Sequence, residues 1–327
     1  MLISNREDGV MKWSKQGLLI EKAPGSFTHA SHPTVIHVKD DEYLIAFCGR
    51  NELQYSHVFF VRALVNNGQI EISDEPELAL EPGRPGEFDC HGILTCNFVR
   101  DADCVYLYYC GWQNLQEGMW ICDTGRAIVN LAVKKATRQF HGPILARDKD
   151  NPLFAVATAV LKDEEGTWFT WYNKGLEWNH DGDSWIPKYG IHFAHSLNGV
   201  DWKCEEGLII PFKDKFEHSF GRPTVLRYDG RYFMWFACRG AGQDPRYKIG
   251  FAVSEDGRVW KRTDSLSGIN VSSDGWDGDA ICYPSVFVHQ NKLYMLYNGN
   301  NYGLTGFGFA TADPHDLNNL FHKAMNL

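Results

Sequence analysis

The sequence feature that most constrains the fold is a short aromatic segment that recurs five times at nearly equal spacing. Its copies share closely spaced aromatic and aliphatic residues: EYLIAFC (42–48), CVYLYYC (104–110), TWFTWYN (167–173), RYFMWFAC (231–238) and KLYMLYN (292–298). Runs this short, bounded by turn residues such as Asp229-Gly230, are typical of β-strands. Their spacing of about 62 residues indicates a repeat architecture.

Each copy lies between two further segments with strand character. The preceding segments are His32-Pro-Thr-Val, Gly92-Ile-Leu-Thr, Ala155-Val-Ala-Thr, Arg222-Pro-Thr-Val and Tyr283-Pro-Ser-Val. The following segments are VFFVRAL (58–64), VNLAV (129–133), IHFAHS (191–196), IGFAVS (249–254) and GFGFAT (306–311). One such antiparallel sheet cannot bury both of its faces alone. Five copies of a four-stranded unit therefore predict an all-β fold, a five-bladed β-propeller.

The N-terminal segment predicts how the ring closes. Residues 13–20 (WSKQGLLI) match the fourth strand of another repeat, WKCEEGLII (202–210), without having three preceding strands of their own. We therefore expect residues 11–20 to complete the last blade, which removes the exposed edges that a repeat array would otherwise carry. The expected single domain spans residues 1–327, with blades at roughly 25–80, 81–145, 146–212, 213–270 and 271–312 plus 11–20. The polar ending predicts a short helical tail.

Charge and composition exclude several classes of function. The net charge is −9 and no basic block is present, which argues against binding to nucleic acid or to an anionic membrane. The sequence has no signal-peptide core and no apolar run of membrane-spanning length. The nine cysteines form no CxxC pair, which favours free thiols in a cytoplasmic protein over a zinc site. No G-x-G-x-x-G motif or P-loop is present, so no cofactor is expected, and no metal ligands can be identified.

The candidate site residues follow from the predicted geometry. In a propeller the first strand of every blade lines a central funnel. At or just before the predicted first strands lie His32, Asp89, His91, Glu217, Arg222, Asp277, Asp279 and Tyr283. Just after the predicted second strands lie Arg50, Trp112, Glu177, Trp178, Arg239, Asn298, Asn300 and Tyr302. Carboxylates, arginines and aromatic residues at equivalent points of the repeats indicate a binding site, and the eleven Trp and fourteen Tyr residues suit stacking against sugars.

Several motifs carry a resemblance to known enzymes over nearly the whole chain. They are Phe88-Asp-Cys-His-Gly92 with Tyr108-Tyr-Cys-Gly-Trp112, His141-Gly-Pro-Ile-Leu145, Gly221-Arg-Pro-Thr-Val225, and Cys282-Tyr-Pro-Ser-Val286 with Tyr297-Asn-Gly-Asn300. With these motifs the chain resembles the five-bladed propellers of glycoside hydrolase families 32, 43, 68 and 130. It looks most like their uncharacterised bacterial members.

The resemblance implies cleavage of a glycosidic bond by two carboxyl groups, one acting as acid and the other as base or nucleophile. Members of these families place an Asp in blade one, an Asp in blade two and a Glu in blade three. Asp89 matches the second position, His32 stands at the first, and the third-blade strand at Phe154 has no carboxylate. The working hypothesis is therefore that Asp89 pairs across the funnel with Glu217 or Asp279.

Three alternatives remain open. Arg50, Arg222 and Arg239 could hold an acidic sugar, a sugar phosphate or inorganic phosphate, since Arg binds such anions by bidentate hydrogen bonds. The family 130 relatives include phosphorylases, so a phosphorylase or transferase is one alternative. A carbohydrate-binding propeller without catalysis is another, and non-hydrolytic chemistry with His32 or His91 as base is the third. In each case the expected partner is a carbohydrate, while the sugar and the oligomeric state stay undetermined.

Overall fold

The computed structural model describes residues 9–182 and 184–327, which are built mostly of β-strands. In the first half of the chain these are β1 (Ser14–Ile20), β2 (Thr28–Lys39), β3 (Glu42–Arg50), β4 (Ser56–Asn66), β5 (Gln69–Ile72), β6 (Glu77–Leu80), β7 (Gly92–Asp101), β8 (Cys104–Asn114), β9 (Trp120–Asn130) and β10 (Lys135–Arg138). In the second half they are β11 (Ala155–Lys162), β12 (Trp168–Asp181), β13 (Ser184–Ser196), β14 (Lys203–Cys204), β15 (Ser219–Tyr228), β16 (Arg231–Arg239), β17 (Lys248–Ser254), β18 (Lys261–Arg262), β19 (Cys282–His289), β20 (Lys292–Asn298) and β21 (Phe307–Ala312).

Antiparallel pairing joins consecutive strands into groups that follow the sequence repeat. The groups are β2–β3–β4 with β5 and β6, β7–β8–β9–β10, β11–β12–β13–β14, β15–β16–β17–β18, and β19–β20–β21. The N-terminal β1 pairs with β21 from Ser14↔Thr311 to Ile20↔Phe307, so it lies in the same sheet as β19 and β20. Lys15 on β1 also forms an ion pair of 2.6 Å with the buried Asp277 ahead of β19.

The first strands of the groups surround a common axis. β2 contacts β7, β7 contacts β11, β11 contacts β15, β15 contacts β19, and β19 contacts β2 again. Single parallel pairs link one group to the next, as at Ser56↔Gly92 and Tyr189↔Ser219. The outer ends of the groups are short, since β14 and β18 have two residues each. Residues that begin the first strands therefore meet at the centre of the molecule.

Three of these first strands carry the same bulge. In β2 the pairing passes from Ser31↔Cys48 to Thr34↔Ala46, and β15 and β19 show equivalent shifts. The bulged residues His32, Arg222 and Tyr283 have φ values of 53°, 40° and 55°. A left-handed backbone is rare for residues with a side chain, and a following proline restricts it further. Such strain persists only where surrounding contacts determine it, and it clusters at functional sites.

Asparagine side chains hold two of these bulges in place. The Oδ1 atom of Asn298 accepts a hydrogen bond of 3.0 Å from the backbone N–H of His32. The Oδ1 atom of Asn173 accepts one of 3.0 Å from the backbone N–H of Arg222. Asn298 ends β20 and Asn173 lies within β12, and each binds the next group around the axis. Asn298 therefore has a structural role, which adds to the substrate contact predicted from the sequence.

The core lies between neighbouring groups of strands and contains most of the aromatic residues. Trp168, Trp171 and Trp235 are fully buried, as expected for rings packed between sheets. The helices are α1 (Asn300–Gly303) and α2 (Asp316–Asn326), and short 3-10 turns span Gln116–Gly118, Ala241–Gln243 and Asp264–Leu266. The predicted helical tail is α2, and it buries Leu317, Leu320, Phe321 and Ala324. Throughout the described ranges, no helix is both long and apolar enough to cross a membrane.

Two predicted strand positions are wrong. The segment VNLAV (129–133), predicted as a third strand, covers only the end of β9 (Trp120–Asn130) and the turn after it. The sequence placed Glu177 and Trp178 just after a second strand, but β12 continues to Asp181 and pairs with β13 as a long hairpin. A register shift lies between Gly175 and Glu177, pairing then continues to Asp181↔Ser184, and the chain turns near Gly182. As a result Glu177 is exposed on the hairpin and pairs with Lys188 at 3.0 Å, which lowers the pKa of its carboxyl.

Candidate functional site

A cavity of about 470 Å³ lies on the axis among the first strands. We call it the axial cavity. Seven of the residues predicted from the sequence line it: His32, Arg50, Trp112, Arg222, Arg239, Tyr283 and Tyr302. Other lining side chains were not predicted, notably Gln54, Asn114, Trp120, Asn173, Tyr189 and Tyr247. Among the described residues that line this cavity, none is an Asp or a Glu.

Asp89, the first predicted catalytic carboxylate, lies outside the axial cavity. It is buried, and its Oδ2 atom accepts hydrogen bonds from Arg138 Nη2 at 2.7 Å and Nε at 2.9 Å. Burial raises the pKa of Asp89, although the neighbouring Arg138 partly opposes that effect. The carboxylate therefore faces an arginine between the first two groups of strands and not the axis.

Glu217 and Asp279 also lie apart from the axial cavity. Glu217 is 1% exposed and binds Arg262 with both oxygens, at 2.6 Å and 2.7 Å. Asp279 is exposed, and its backbone N–H donates to Asn300 Oδ1 at 2.8 Å. The structure does not bring the three predicted carboxylates together around the cavity. Their catalytic roles remain predictions from the sequence.

The remaining predicted residues lie beside the cavity or support its wall. His91 accepts a hydrogen bond of 2.9 Å at Nδ1 from the backbone N–H of Asn114, which lines the cavity. Trp178 packs edge-on against Trp120 with 5.5 Å between ring centroids. Asn300 accepts hydrogen bonds from the backbone N–H groups of Asp279 and Ala280, so it orders a loop.

Arg222 is buried and acts mainly as a structural centre. Its guanidinium donates to the carbonyl oxygens of Tyr283, Pro33 and Cys96, at 3.0 Å, 2.6 Å and 3.1 Å. These carbonyls belong to β19, β2 and β7, so one side chain ties three first strands together across the axis. Burial lowers the pKa of Arg222 to about 10, which still leaves it charged at neutral pH.

Arg50 and Arg239 keep more of their hydrogen-bonding capacity for a ligand. Arg239 donates to Tyr302 Oη at 2.8 Å and lies 4.8 Å from the centroid of the Tyr247 ring. Arg50 ends β3 and lines the cavity, and within the described part of the chain its guanidinium has no hydrogen-bond or ion-pair partner. Two cationic groups without a carboxylate beside them make the local electrostatic potential positive.

A pair of tyrosines completes this side of the cavity. The hydroxyl oxygens of Tyr189 and Tyr247 lie 2.6 Å apart, and burial raises the pKa of both phenols. The sequence reasoning missed them because it searched only the starts of first strands and the ends of second strands. Trp120 begins β9 and Tyr247 directly precedes β17, while Tyr189 lies within β13, so all three belong to third strands or to the residue before one.

His32 lies in the cavity wall with its ring stacked on Tyr283, at 4.1 Å between centroids and 23° between planes. Burial lowers the pKa of His32 well below its ordinary value, and the nearby Arg222 and Arg50 add to that shift. The imidazole is therefore neutral at physiological pH. In residues 9–182 and 184–327, no cluster of three or more His, Cys, Asp or Glu side chains is arranged to hold a metal ion.

Comparison with solved structures identifies the class of fold. The chain matches a "Glycoside hydrolase" with TM-score 0.69 and 18% identity, covering 93% of this chain and 92% of that one. It matches "The GH130 family of mannoside phosphorylases contains glycoside hydrolases that target beta-1,2 mannosidic linkages in Candida mannan" with TM-score 0.68 and 13% identity, over 95% and 96% of the two chains. A thermostable family-43 glycoside hydrolase gives TM-score 0.60 and 18% identity, over 88% and 89%. The predicted resemblance to the β-propeller glycoside hydrolases is thus confirmed for the fold.

Sequence relatives then define the family more narrowly. "Uncharacterized protein Rv1502" of Mycobacterium tuberculosis (strain ATCC 25618 / H37Rv) is 34% identical over 314 residues, which cover 93% of this chain and 100% of that protein. "Uncharacterized protein MT1551" of Mycobacterium tuberculosis (strain CDC 1551 / Oshkosh) matches to the same extent. The chain belongs to the family of these mycobacterial proteins. No family model matches it.

Proposed function

We propose that the chain is a five-bladed β-propeller enzyme that acts on a glycosidic bond in the axial cavity, with an anion held there by arginine. The proposed blades are the groups of strands that begin with β2, β7, β11, β15 and β19. Contacts between β2 and β19, and pairing of β1 with β21, support a closed ring. The ion pair between Lys15 and Asp277 supports the same closure.

The single observation that carries the proposal is the charge of the cavity lining. Arg50, Arg222 and Arg239 line the cavity, while no Asp or Glu does so within the described residues. Arginine binds phosphate or carboxylate groups through paired N–H donors, and a site shielded from water strengthens that attraction. A cavity of this charge suits an acidic sugar, a sugar phosphate, or phosphate as a co-substrate.

In the phosphorolytic form, a phosphate oxygen forms a bond to the anomeric carbon while the glycosidic C–O bond breaks. The leaving oxygen takes up a proton, and the proposal assigns its donation to the hydroxyl pair of Tyr189 and Tyr247 in the lining. The proton that hydrogen phosphate loses as it becomes the sugar phosphate then restores the phenol. Their raised pKa values keep the phenols protonated at neutral pH. In this proposal Arg50 and Arg239 bind the phosphate. The aromatic side chains around Trp112 and Trp120 contact the sugar.

Hydrolysis by a carboxylate pair receives less support. It would require Asp89 with Glu217 or Asp279 to face one another across the axis. Asp89 is paired with Arg138 and Glu217 with Arg262, and Asp279 lies at the surface. The second candidate function is a carbohydrate-binding propeller without catalysis, which the carboxylate-free lining also favours. In either case the expected partner is a sugar-containing molecule, and a cytoplasmic location stays a prediction.

The test is turnover of oligosaccharides with and without inorganic phosphate, followed by phosphorus NMR. The proposal predicts sugar phosphate only when phosphate is present, and its loss in Arg239→Met. Arg246→Met is the matched control, because that guanidinium pairs with Asp244 at the surface. Phosphate-independent release of free sugar that Asp89→Asn abolishes would instead establish hydrolysis. Binding without any turnover would establish the carbohydrate-binding module.

A further inference from the structure

The backbone of His32 is fixed on both sides. Its N–H donates to Asn298 Oδ1 at 3.0 Å, and its carbonyl oxygen accepts a hydrogen bond from the Thr95 hydroxyl. Its φ of 53° precedes a proline, a combination that needs such contacts to persist. These contacts come from the last group and the second group of strands. The position of the side chain is therefore determined by three parts of the fold.

The ring of His32 is fixed as well, and its hydrogen bonds define the tautomer. Its Nδ1 atom lies 3.1 Å from the Ser31 hydroxyl oxygen. That hydroxyl donates its own proton to the carbonyl oxygen of Cys48 at 3.4 Å. We assign the ring proton to Nδ1, because with the single proton of the Ser31 hydroxyl this is the arrangement in which both contacts are hydrogen bonds. The lone pair is then on Nε2.

The Nε2 atom has no hydrogen-bond partner in the described part of the chain, and His32 lines the axial cavity. The groups that face the ring are Arg222, Arg50, His29 and the Tyr283 phenol. Burial and these positive charges keep the imidazole neutral, and burial keeps Tyr283 protonated. A neutral acceptor thus lies in a wall whose other polar groups are mostly donors.

We infer that His32 Nε2 accepts a hydrogen bond from a hydroxyl group of the bound molecule, close to the anion held by Arg50. This inference rests on the proposed anion-binding function and narrows its ligand. The ligand carries a hydroxyl near its anionic group, as sugar phosphates and sugar acids do. Inorganic phosphate alone would bind Arg50 but would not supply the sugar hydroxyl that His32 accepts from. His32 is thus a specificity residue that keeps its acceptor role, because protonation of the ring is unfavourable there.

The first part of the test is nitrogen NMR of protein labelled at histidine, from about pH 5 to pH 8, a range that brackets the ordinary histidine pKa. The His32→Gln variant provides the assignment. The expected result is a neutral ring with its proton on Nδ1 throughout. A proton on Nε2, or protonation of the ring within this range, would overturn the inference.

The second part is calorimetric titration with glucose 6-phosphate and glucuronate, with glucose and inorganic phosphate as reference ligands. In His32→Gln the amide oxygen can replace Nε2, so affinity for the acidic sugars stays within about threefold. In His32→Asn the shorter side chain cannot reach, and affinity falls about tenfold or more, while affinity for phosphate is unchanged.

The outcomes separate the two proposals. Equal binding by wild type and His32→Asn overturns the role of His32 and leaves the anion-binding function standing. Failure of every anionic probe to bind the wild type contradicts the anion-binding function and the ligand class together. Thermal unfolding of both variants shows whether a loss of affinity reflects a loss of fold.

Discussion

Two regions of the molecule treat charge in opposite ways. Between the groups of strands, Asp89 meets Arg138 and Glu217 meets Arg262, and these carboxylates are almost completely buried. In the axial cavity, Arg50 and Arg239 have no carboxylate partner in the described chain. The same residue types therefore serve the fold in one region and remain available to a ligand in the other.

This difference teaches where to look for function in a repeat fold. A buried carboxylate that is paired with an arginine stabilises the folded chain, and removing one partner leaves an unpaired charge. An arginine that lines a cavity without a counter-ion depends on something outside the chain for its partner. Stability and binding should therefore respond to different substitutions.

The largest expected effect is on stability. Glu217→Ala leaves Arg262 with only Asp264 as a charged partner, and we expect a loss of about 3 kcal/mol in the free energy of unfolding, as for broken buried pairs. Urea unfolding measures it. The control is Glu177→Ala, whose pair with Lys188 is exposed and should change the value by less than about 0.5 kcal/mol. Equal effects at the two positions would show that Glu217 is not the structural carboxylate described here.

A somewhat smaller loss is expected at the junction of the first and last strands. Lys15→Met removes the cation beside the buried Asp277, which then keeps the Tyr297 hydroxyl at 2.9 Å. We expect about 2 kcal/mol of destabilisation, the cost of leaving a buried polar group underpaired. Lys12→Met, at an exposed neighbour, should leave the unfolding curve unchanged. No change in Lys15→Met would argue against a stabilising role for the contact of β1 with the last group of strands.

Substitution in the cavity should affect binding more than stability. Arg239→Met is expected to weaken binding of an anionic sugar about tenfold, equivalent to about 1.4 kcal/mol. Its hydrogen bond to Tyr302 is exposed at one end, so unfolding should shift only slightly. Calorimetric titration of the variant beside Arg246→Met makes the measurement. A loss of stability as large as that of Glu217→Ala would show that Arg239 serves the fold as the buried ion pairs do, and would contradict the difference between the two regions.

The smallest effect is a pH dependence at Asp89. Because burial raises its pKa, the folded protein binds more protons than the unfolded chain between the ordinary and the raised value. Its contribution to the free energy of unfolding therefore falls as the pH rises through that window. The free energy of unfolding, measured with urea at a series of pH values, should therefore fall less with rising pH in Asp89→Asn than in the wild type. The difference is expected above about pH 4, the ordinary aspartate pKa. Identical slopes in the two proteins would mean that Asp89 is ionised throughout.

Much of the strand pattern could be predicted because it is local. The segment KLYMLYN coincides with β20 (Lys292–Asn298), and RYFMWFAC lies within β16 (Arg231–Arg239). Alternation of aromatic and aliphatic residues between turns fixes such strands with little help from the rest of the chain. The exceptions are VNLAV (129–133), which falls mostly on the turn after β9, and the hairpin of β12 and β13, in which β12 extends well beyond the predicted segment TWFTWYN.

The site was harder to predict because its decisive contacts are not local. Glu217 and Arg262 are 45 residues apart, and Asp89 and Arg138 are 49 apart, so nothing near Asp89 or Glu217 indicates that they are already paired. Repeat position correctly suggested that His32, Arg222 and Tyr283 approach the axis. It could not show that Arg222 is occupied by three carbonyl groups while Arg50 is not.

The most direct test of the central claim is a crystal structure with glucose 6-phosphate bound. We expect the phosphate group in the axial cavity, within hydrogen-bonding distance of Arg50 or Arg239, with a sugar hydroxyl on His32 Nε2. A phosphate bound at Arg138 or Arg262 instead, with the carboxylates of Asp89 or Glu217 displaced, would contradict it. That result would return the carboxylates to the active site.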